Sequence, residues 1–458
     1  MSDAARNDAG ELLARTRAAL PSWLALYYDE PIEITHGEGR HVWDADGNRY
    51  LDFFGGILTT MTAHALPEVT AAVCEQAGKI LHTSTLYLNR PMVELAEEIA
   101  AVSGIPDAKV FLTTSGTEAN DAALLLASIW RGSNQLLAMR NSYHGRSFST
   151  IGITGNRTWS PTSLSPFQTH YVHGGSRYRG PLAGLADAEF TAAAVADLRE
   201  TLDQLGGTVA ALIAEPIQGV GGFTHGPDGV LGALAGVLRE HGILWISDEV
   251  QTGWGRTGEH FWGWQAHVGS PHTEDGVTPD MLTFAKGVGN GLSVAGVVAR
   301  AEIMDCLKGN SLSTFGGSPI TAAGALANLR YLRRHDLQAN AAKVGRILSD
   351  GLRAHGSPVV GDVRGKGLMV GVELVEPGSG RPGTPAPKLA SAVLEAAKRH
   401  GLLVGKGGLH ANVLRVAPPL TLTAEEAAEG LALLTTAIDE AAAGAAPVAS
   451  VEKEAVSP

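Results

Sequence analysis

From about residue 65 to residue 310, short apolar runs rich in β-formers alternate with helical stretches. The runs predict strands over Lys109–Thr113, Gln135–Met139, Val209–Ala214, Ile243–Ser247, Met281–Phe284 and Val294–Ala299. The stretches predict helices over Pro67–Ile80, Thr117–Trp130, Thr191–Leu205 and Asp228–His241. Alternation of this kind defines an α/β domain on a doubly wound, mainly parallel sheet. After Pro319 the pattern changes. Ala-rich helical segments (Ile320–Arg334, Asn340–His355, Leu389–His400, Ala424–Ala443) enclose two brief strands, Leu368–Leu374 and Val413–Val416, which reads as a smaller α+β domain.

The expected division is therefore a large domain over 63–318 and a small one over 319–443. An N-terminal segment, 1–62, carries a hairpin signal at Asp46-Gly47 and is expected to pack with the small domain. The first ten residues read as frayed, and 444–458 as a disordered tail. Glu376–Lys388, with four prolines and three glycines, reads as an exposed loop, and 272–279 as a second extended loop. No internal repeat is evident.

Composition narrows the class. The 458 residues are 44% hydrophobic and 18% charged, as expected of a globular enzyme. A net charge of −12 with no basic run argues against a nucleic-acid surface or a polybasic membrane anchor. Only Cys74 and Cys306 are present, which excludes a disulfide framework and fits a reducing compartment. Neither a secretory h-region nor a bilayer-length apolar stretch occurs, so the cytoplasm is the expected location.

Two residues at the ends of strand candidates suggest chemistry. Asp248 closes the run Ile243-Leu-Trp-Ile-Ser-Asp, and Lys286 closes Asp280-Met-Leu-Thr-Phe-Ala-Lys, ahead of Gly287-Val-Gly-Asn-Gly. An amine and a carboxylate so placed suit pyridoxal phosphate: the amine forms a Schiff base, and the carboxylate keeps the pyridine nitrogen protonated. The bland alternative is an ordinary strand-end ion pair. Further motifs tell against it. Thr113-Thr-Ser-Gly-Thr-Glu-Ala-Asn runs from a strand into a helix, so Ser115, Gly116 and Thr117 form a phosphate seat at a helix N-terminus rather than a simple cap. Tyr143, after the strand around Leu136, could lie on a cofactor ring. Glu215 could support the cofactor's polar edge, Val250 could pack on the other ring face, and Gln251 could bond the phenolic oxygen. All follow predicted strands, where open α/β sheets bind ligands.

A competing motif, Gly253-Trp-Gly-Arg-Thr-Gly258, matches G-x-G-x-x-G. It is followed by Glu-His-Phe-Trp-Gly-Trp, no convincing helix start, and it lies late in the chain, so a nucleotide site is not expected. None of the 16 histidines shows metal-ligand spacing, and no metal is expected.

Six motifs in order, Ser115-Gly-Thr-Glu-Ala-Asn, Tyr143-His-Gly, Glu215-Pro-Ile-Gln-Gly, Asp248-Glu-Val-Gln-Thr-Gly, Ala285-Lys-Gly and Thr314-Phe-Gly-Gly, resemble the class III pyridoxal-phosphate-dependent aminotransferases, of the aspartate-aminotransferase (type I) fold. The resemblance runs from about Pro31 to Leu434. Phe53-Phe-Gly-Gly-Ile, Tyr178-Arg-Gly-Pro and His260-Phe-Trp-Gly-Trp look most like the alanine-glyoxylate and β-aminoisobutyrate-pyruvate subgroup. It implies Lys286 as Schiff-base lysine and proton shuttle, with Asp248 on the pyridine nitrogen. Tyr143 and Val250 would sandwich the ring, and Gln251 would reach O3′. Gly116 and Thr117 would hold the phosphate, and Thr314 would reach the phosphate of a neighbouring subunit. Arg415 would clamp the substrate carboxylate. Two departures stand out: Ser318 before Pro319, where relatives often have Asn, and Val220, where relatives acting on 4-aminobutyrate or ornithine often carry a glutamate that neutralises the arginine.

The resulting expectation is a homodimer, or a dimer of dimers, moving an amino group from an alanine- or β-alanine-like donor to a small 2-oxo acid. The alternatives are an ω-aminotransferase using 2-oxoglutarate, another reaction on the same cofactor such as racemisation or aminomutase chemistry, and a non-catalytic cofactor-binding protein.

Overall fold

A computed structural model describes residues 3–162, 164–268 and 277–445. Most of the extended loop expected over 272–279 and nearly all of the tail expected over 444–458 lie outside the described residues. The strands in chain order are β1 Ile34–Glu38, β2 His41–Asp44, β3 Arg49–Asp52, β4 Ala108–Thr113, β5 Gln135–Met139, β6 Gln168–Val172, β7 Val209–Ala214 and β8 Leu244–Asp248. They continue as β9 Met281–Phe284, β10 Ala295–Arg300, β11 Val360–Lys366, β12 Met369–Leu374, β13 Leu402–Leu403, β14 Gly405–Gly407 and β15 Val413–Val416.

Seven strands form the large sheet in the order β4-β10-β9-β8-β7-β5-β6. The strands β6, β5, β7, β8 and β9 run parallel, while β10 is antiparallel to both β9 and β4. The central strands β7, β8 and β9 are buried along their whole length, which is why they read as unbroken apolar runs rather than alternating ones. Helices cover both faces: Gly116–Arg131 packs against β7, β9 and β10, whereas Asp187–Gln204 and Val230–Glu240 pack together beside β6 and β8. Of the candidate site residues, Ser115–Thr117, Tyr143, Glu215, Asp248 and Lys286 lie at or just beyond the carboxyl ends of β4, β5, β7, β8 and β9.

The C-terminal part carries a second sheet, β11-β12-β15-β14, antiparallel throughout. The hairpin signalled by Asp46-Gly47 is present between β2 and β3, and β3 pairs in parallel with β13. Asp44 locks that turn, accepting from the backbone N–H groups of Asp46 and Asn48 and from the Tyr50 hydroxyl at 2.7 Å.

Three expectations need correction. Of the first ten residues, expected to be frayed, those described belong to a helix, Asp3–Ala19. The strand β6 and the helix Arg90–Ser103 escaped the sequence pattern: β6 is an edge strand, half-buried and rich in polar residues, and the helix starts after the cap residue Asn89, with Pro91 in its first turn. Lys286 does not end a strand. β9 stops at Phe284, and Lys286 opens a 3₁₀ turn, Lys286–Gly289, with φ of +46°. A lysine in the left-handed region costs about 1–3 kcal/mol and is held there by its surroundings.

Candidate active site

Asp248 is the last residue of β8 and is buried. Its Oδ2 accepts from Asn120 Nδ2 at 2.8 Å and lies 2.8 Å from His144 Nδ1. Asn120 is itself fixed, donating also to the His144 carbonyl and accepting from the Thr283 hydroxyl of β9 at 2.7 Å. Oδ1 accepts only a longer bond, 3.2 Å, from the Val250 backbone. The carboxylate is thus oriented from behind with one oxygen left largely uncommitted.

Lys286 takes no hydrogen bond to its amine among the described residues. Burial pushes its pKa below the ordinary lysine range; Arg415 pushes the same way, against the pull of Asp248 and Glu215. A lysine amine that loses its proton readily is one able to attack a carbonyl. Glu215 lies beside it at the end of β7, its two oxygens accepting from the backbone N–H groups of Tyr143 and Gly219, each at 2.8 Å. Burial raises its pKa to about 7, with Asp248 adding to the rise and His144 and the two N–H groups opposing it.

The turn after β4 is capped as a helix start: Ser115 Oγ accepts from the Glu118 N–H at 3.2 Å. The Gly116 and Thr117 N–H groups carry no partner among the described residues, which leaves the helix end free to hold an anion. Space at Gly116 is tight, since a Cβ there would stand 3.1 Å from Val250 Cγ2 and 3.5 Å from the Ala285 side chain. Tyr143 is half-buried and meets Trp159 edge-on at 5.8 Å.

Arg415, on β15, is buried with its guanidinium 4.9 Å from the Phe223 ring and 5.2 Å from Phe54. Its Nη2 donates to Gln251 Oε1 at 2.8 Å, and its Nε has no partner. Burial lowers its pKa. Gln251 therefore spends its oxygen on Arg415 and keeps its amide nitrogen for another acceptor. Val220 contributes no side-chain charge; its carbonyl accepts from the Gly408 N–H at 2.9 Å.

The remaining residues of interest lie elsewhere. Thr314 is exposed on the single chain, in a turn preceding the helix Pro319–Arg334. Ser318 donates to the Leu81 carbonyl at 3.0 Å. The glycines of Gly253-Trp-Gly-Arg-Thr-Gly258 serve packing, as a Cβ at Gly258 would meet the Ala342 backbone at 2.5 Å. Arg256 is buried, with Nη1 donating to the Leu368 and Pro418 carbonyls and Nη2 without a partner among the described residues.

Sequence reasoning missed the roles of Asn120 and His144, although both stand inside quoted motifs. The available signal was helical spacing, Asn120 following Gly116 by one turn on the face toward the strand ends. It also missed Phe54, Phe223 and Tyr27 around Arg415. Tyr27 packs on Phe54 at 5.6 Å and donates to the Lys406 carbonyl, the latter a contact across 379 residues, with no local signature.

A buried amine with a lowered pKa, a carboxylate oriented from behind and a free helix N-terminus fit a phosphate-bearing aldehyde cofactor. The chain belongs to the class III aminotransferases, whose family model matches residues 26–438. It is similar to the mitochondrial alanine–glyoxylate aminotransferase 2 homolog 2 of Arabidopsis thaliana, 37% identical over 91% of this chain and 84% of the relative. It is equally similar to the 5-aminovalerate aminotransferase DavT of Pseudomonas aeruginosa, 37% identical over 94% of this chain and 98% of that one. Among solved structures it resembles an amine transaminase from an uncultivated Pseudomonas species in its PLP-bound form, with TM-score 0.83 and 31% identity, covering 93% of this chain and 98% of that one. The fold is the type I fold of pyridoxal-phosphate enzymes, and pyridoxal phosphate is the cofactor.

Proposed function

We propose that this aminotransferase moves an amino group from an alanine- or β-alanine-like donor to a small 2-oxo acid such as pyruvate or glyoxylate, as a cytoplasmic homodimer. The observation that carries the substrate assignment is the state of Arg415: it is held by a neutral amide, Gln251, and by two aromatic faces, with no carboxylate side chain on it. A guanidinium so held stays available to a substrate carboxylate in both half-reactions. Unpaired cysteines, Cys74 and Cys306, suit a reducing compartment.

Bound pyridoxal phosphate supplies an electron sink for the carbanion left when the donor loses a proton. The protein's own residues do the rest. Lys286 would hold the cofactor covalently and, when freed from it, would carry the proton the donor gives up. Asp248, positioned by Asn120 and His144, would keep the cofactor's ring nitrogen protonated. Tyr143 and Val250 would pack on the ring, Gln251 Nε2 would be free to donate to its phenolic oxygen, and Glu215 would support its polar edge. Ser115, Gly116 and Thr117 would hold the phosphate, with Thr314 serving the phosphate of a neighbouring subunit.

A second reading is an ω-aminotransferase using 2-oxoglutarate, favoured by the equal similarity to a 5-aminovalerate aminotransferase. A five-carbon diacid needs a cation for its second carboxylate, since burying that charge unpaired costs several kcal/mol. With Arg256 buried and donating to two backbone carbonyls, Arg146, lying 5.7 Å from the Trp23 ring, is the candidate near the phosphate turn. The test is a panel of donors against pyruvate, glyoxylate and 2-oxoglutarate. The proposal expects kcat/KM for pyruvate or glyoxylate to exceed that for 2-oxoglutarate by at least about tenfold, roughly 1.4 kcal/mol. It also expects Arg415→Ala to lose about a hundredfold with carboxylated donors and much less with simple amines. Equal use of 2-oxoglutarate would overturn it.

A further inference from the structure

A cavity of about 320 Å³ opens between the two sheet systems, on the far side of the loop 218–222 from Arg415. One wall is the segment after β5 and β6, with Arg140, His173 and Arg179; the facing wall comes from the second sheet, with Arg364, Glu373 and Asn412. Val413 lines it and shares a face of β15 with Arg415, two residues on, so the cavity and the substrate clamp are neighbours on one strand. They are kept apart by close backbone packing: Arg364 Nε donates to the Gly222 carbonyl at 2.9 Å, and the Gly408 N–H donates to Val220.

The polar groups in this cavity are unevenly matched. Glu373 is buried and is the only acid in the lining; although burial pushes its pKa up, Arg364 and Arg179 hold it below the usual range. It receives Arg179 Nε, Arg364 Nη1 at 2.7 Å and Asn412 Nδ2 at 3.3 Å, so its acceptor capacity is largely used. Asp362 takes a second bond from Arg364 Nη1 at 2.9 Å, and Asp197 stands 4.0 Å from Arg140. After these contacts Arg179 Nη2 remains buried with no partner, and Arg364 Nη2 has none among the described residues. Gln218, 1% exposed, donates Nε2 to the Arg140 carbonyl at 2.8 Å, which fixes its amide and leaves Oε1 buried and unpartnered against Gly175. An orphaned buried guanidinium N–H costs about 1–3 kcal/mol or more unless something accepts from it. The void is large enough for a small molecule, and its few polar groups, set in a mainly apolar lining, include those left without partners.

We propose that this cleft binds a compact, doubly charged oxyanion, a phosphate monoester or a short dicarboxylate, as a site separate from the pocket around Lys286. The anion accepts from Arg179 Nη2 and Arg364 Nη2, with Arg140 at the mouth; the one O–H of hydrogen phosphate can also donate to Gln218 Oε1, a contact a fully ionised dicarboxylate does not make. Phosphate and dicarboxylate share the charge and the forked geometry that two guanidiniums read.

The test is calorimetric titration of the holoenzyme with inorganic phosphate and, separately, with malonate. Binding of either anion at one site per chain is expected, with the visible absorbance of the bound cofactor unchanged. Whichever anion binds more tightly identifies the ligand class. Arg140→Gln, at a half-exposed side chain, should weaken binding about fivefold or more, and Arg179→Gln more strongly. Arg179→Gln is read alongside its melting temperature, because it also frees Glu373; Arg140→Gln carries the test if that variant does not fold. Arg415→Ala should leave the binding intact. No saturable binding of either anion below about 50 mM overturns the proposal. So does binding that survives Arg140→Gln undiminished, or binding that vanishes with Arg415→Ala.

Discussion

At the scale of single residues the site is a set of charges each placed by a neighbour that does no chemistry. Lys286 is pressed toward its neutral form by burial and turned into the cavity by a left-handed backbone angle. Lys286→Ala should therefore lose the visible absorbance of the covalently held cofactor, its response to borohydride, and essentially all turnover; wild-type turnover in that variant would refute the assignment. Glu215 carries a different signature. Its folded pKa of about 7 lies above the ordinary 4.5 because burial disfavours the charge. Between those values the folded chain keeps a proton that the unfolded chain has lost, so stability falls as pH rises through that window and levels off above it. Melting of the cofactor-free protein from pH 4.5 to 8 should show that fall, on the order of a few kcal/mol, and Glu215→Gln should flatten its share of the slope. An identical slope in the variant would place the titration elsewhere.

At the scale of elements the sequence was most legible where one strand or one turn carried the signal. β4, β5, β7 and β9 fall within a residue of their predicted runs; for β7 and β9 the reason is that strands buried on both faces must be apolar throughout. Asp248 and the helix beginning at Gly116 were readable for the same local reason. What could not be read is what crosses the chain: Asn120 reaches Asp248 over 128 residues, and Phe54 reaches Arg415 over more than three hundred. The edge strand β6 lacked a pattern because only one of its residues is fully buried. The turn after β4 yields a prediction of its own. Gly116→Ala keeps an allowed helix start but places a methyl 3.1 Å from Val250, tighter than van der Waals contact, and pushes that side chain toward the proposed ring site. Cofactor affinity should drop by about tenfold with little change in the melting temperature of the cofactor-free protein; unaltered affinity would show that Val250 does not face the ring.

At the scale of the molecule, the single chain leaves an apolar surface that water does not favour. Leu86, Tyr87 and Leu88 are 73%, 70% and 101% exposed in sequence, and Leu312 and Phe315 are exposed beside Thr314. These two segments form one patch: His82 and Phe315 stack at 4.9 Å, Asn89 donates to the Gly317 carbonyl at 2.9 Å, and Ser318 donates to Leu81. A contiguous apolar patch of this kind marks an interface, and in the proposed homodimer a second copy of the chain would cover it. In that arrangement the Thr314 hydroxyl would reach the neighbour's proposed phosphate seat, beside Ser115 and the Gly116 and Thr117 N–H groups. A buried phosphate lacking one of its donors is destabilised by roughly the strength of a charge-assisted hydrogen bond, about 1.5–3 kcal/mol. Thr314→Ala should thus raise the dissociation constant for pyridoxal phosphate by about tenfold or more without disturbing the dimer. Replacing Leu86 and Leu88 with Lys should break the dimer and remove activity together, read by sedimentation and turnover on the same samples. A monomer with full activity, or a Thr314→Ala enzyme with unchanged cofactor affinity, would rule out a site shared between two chains.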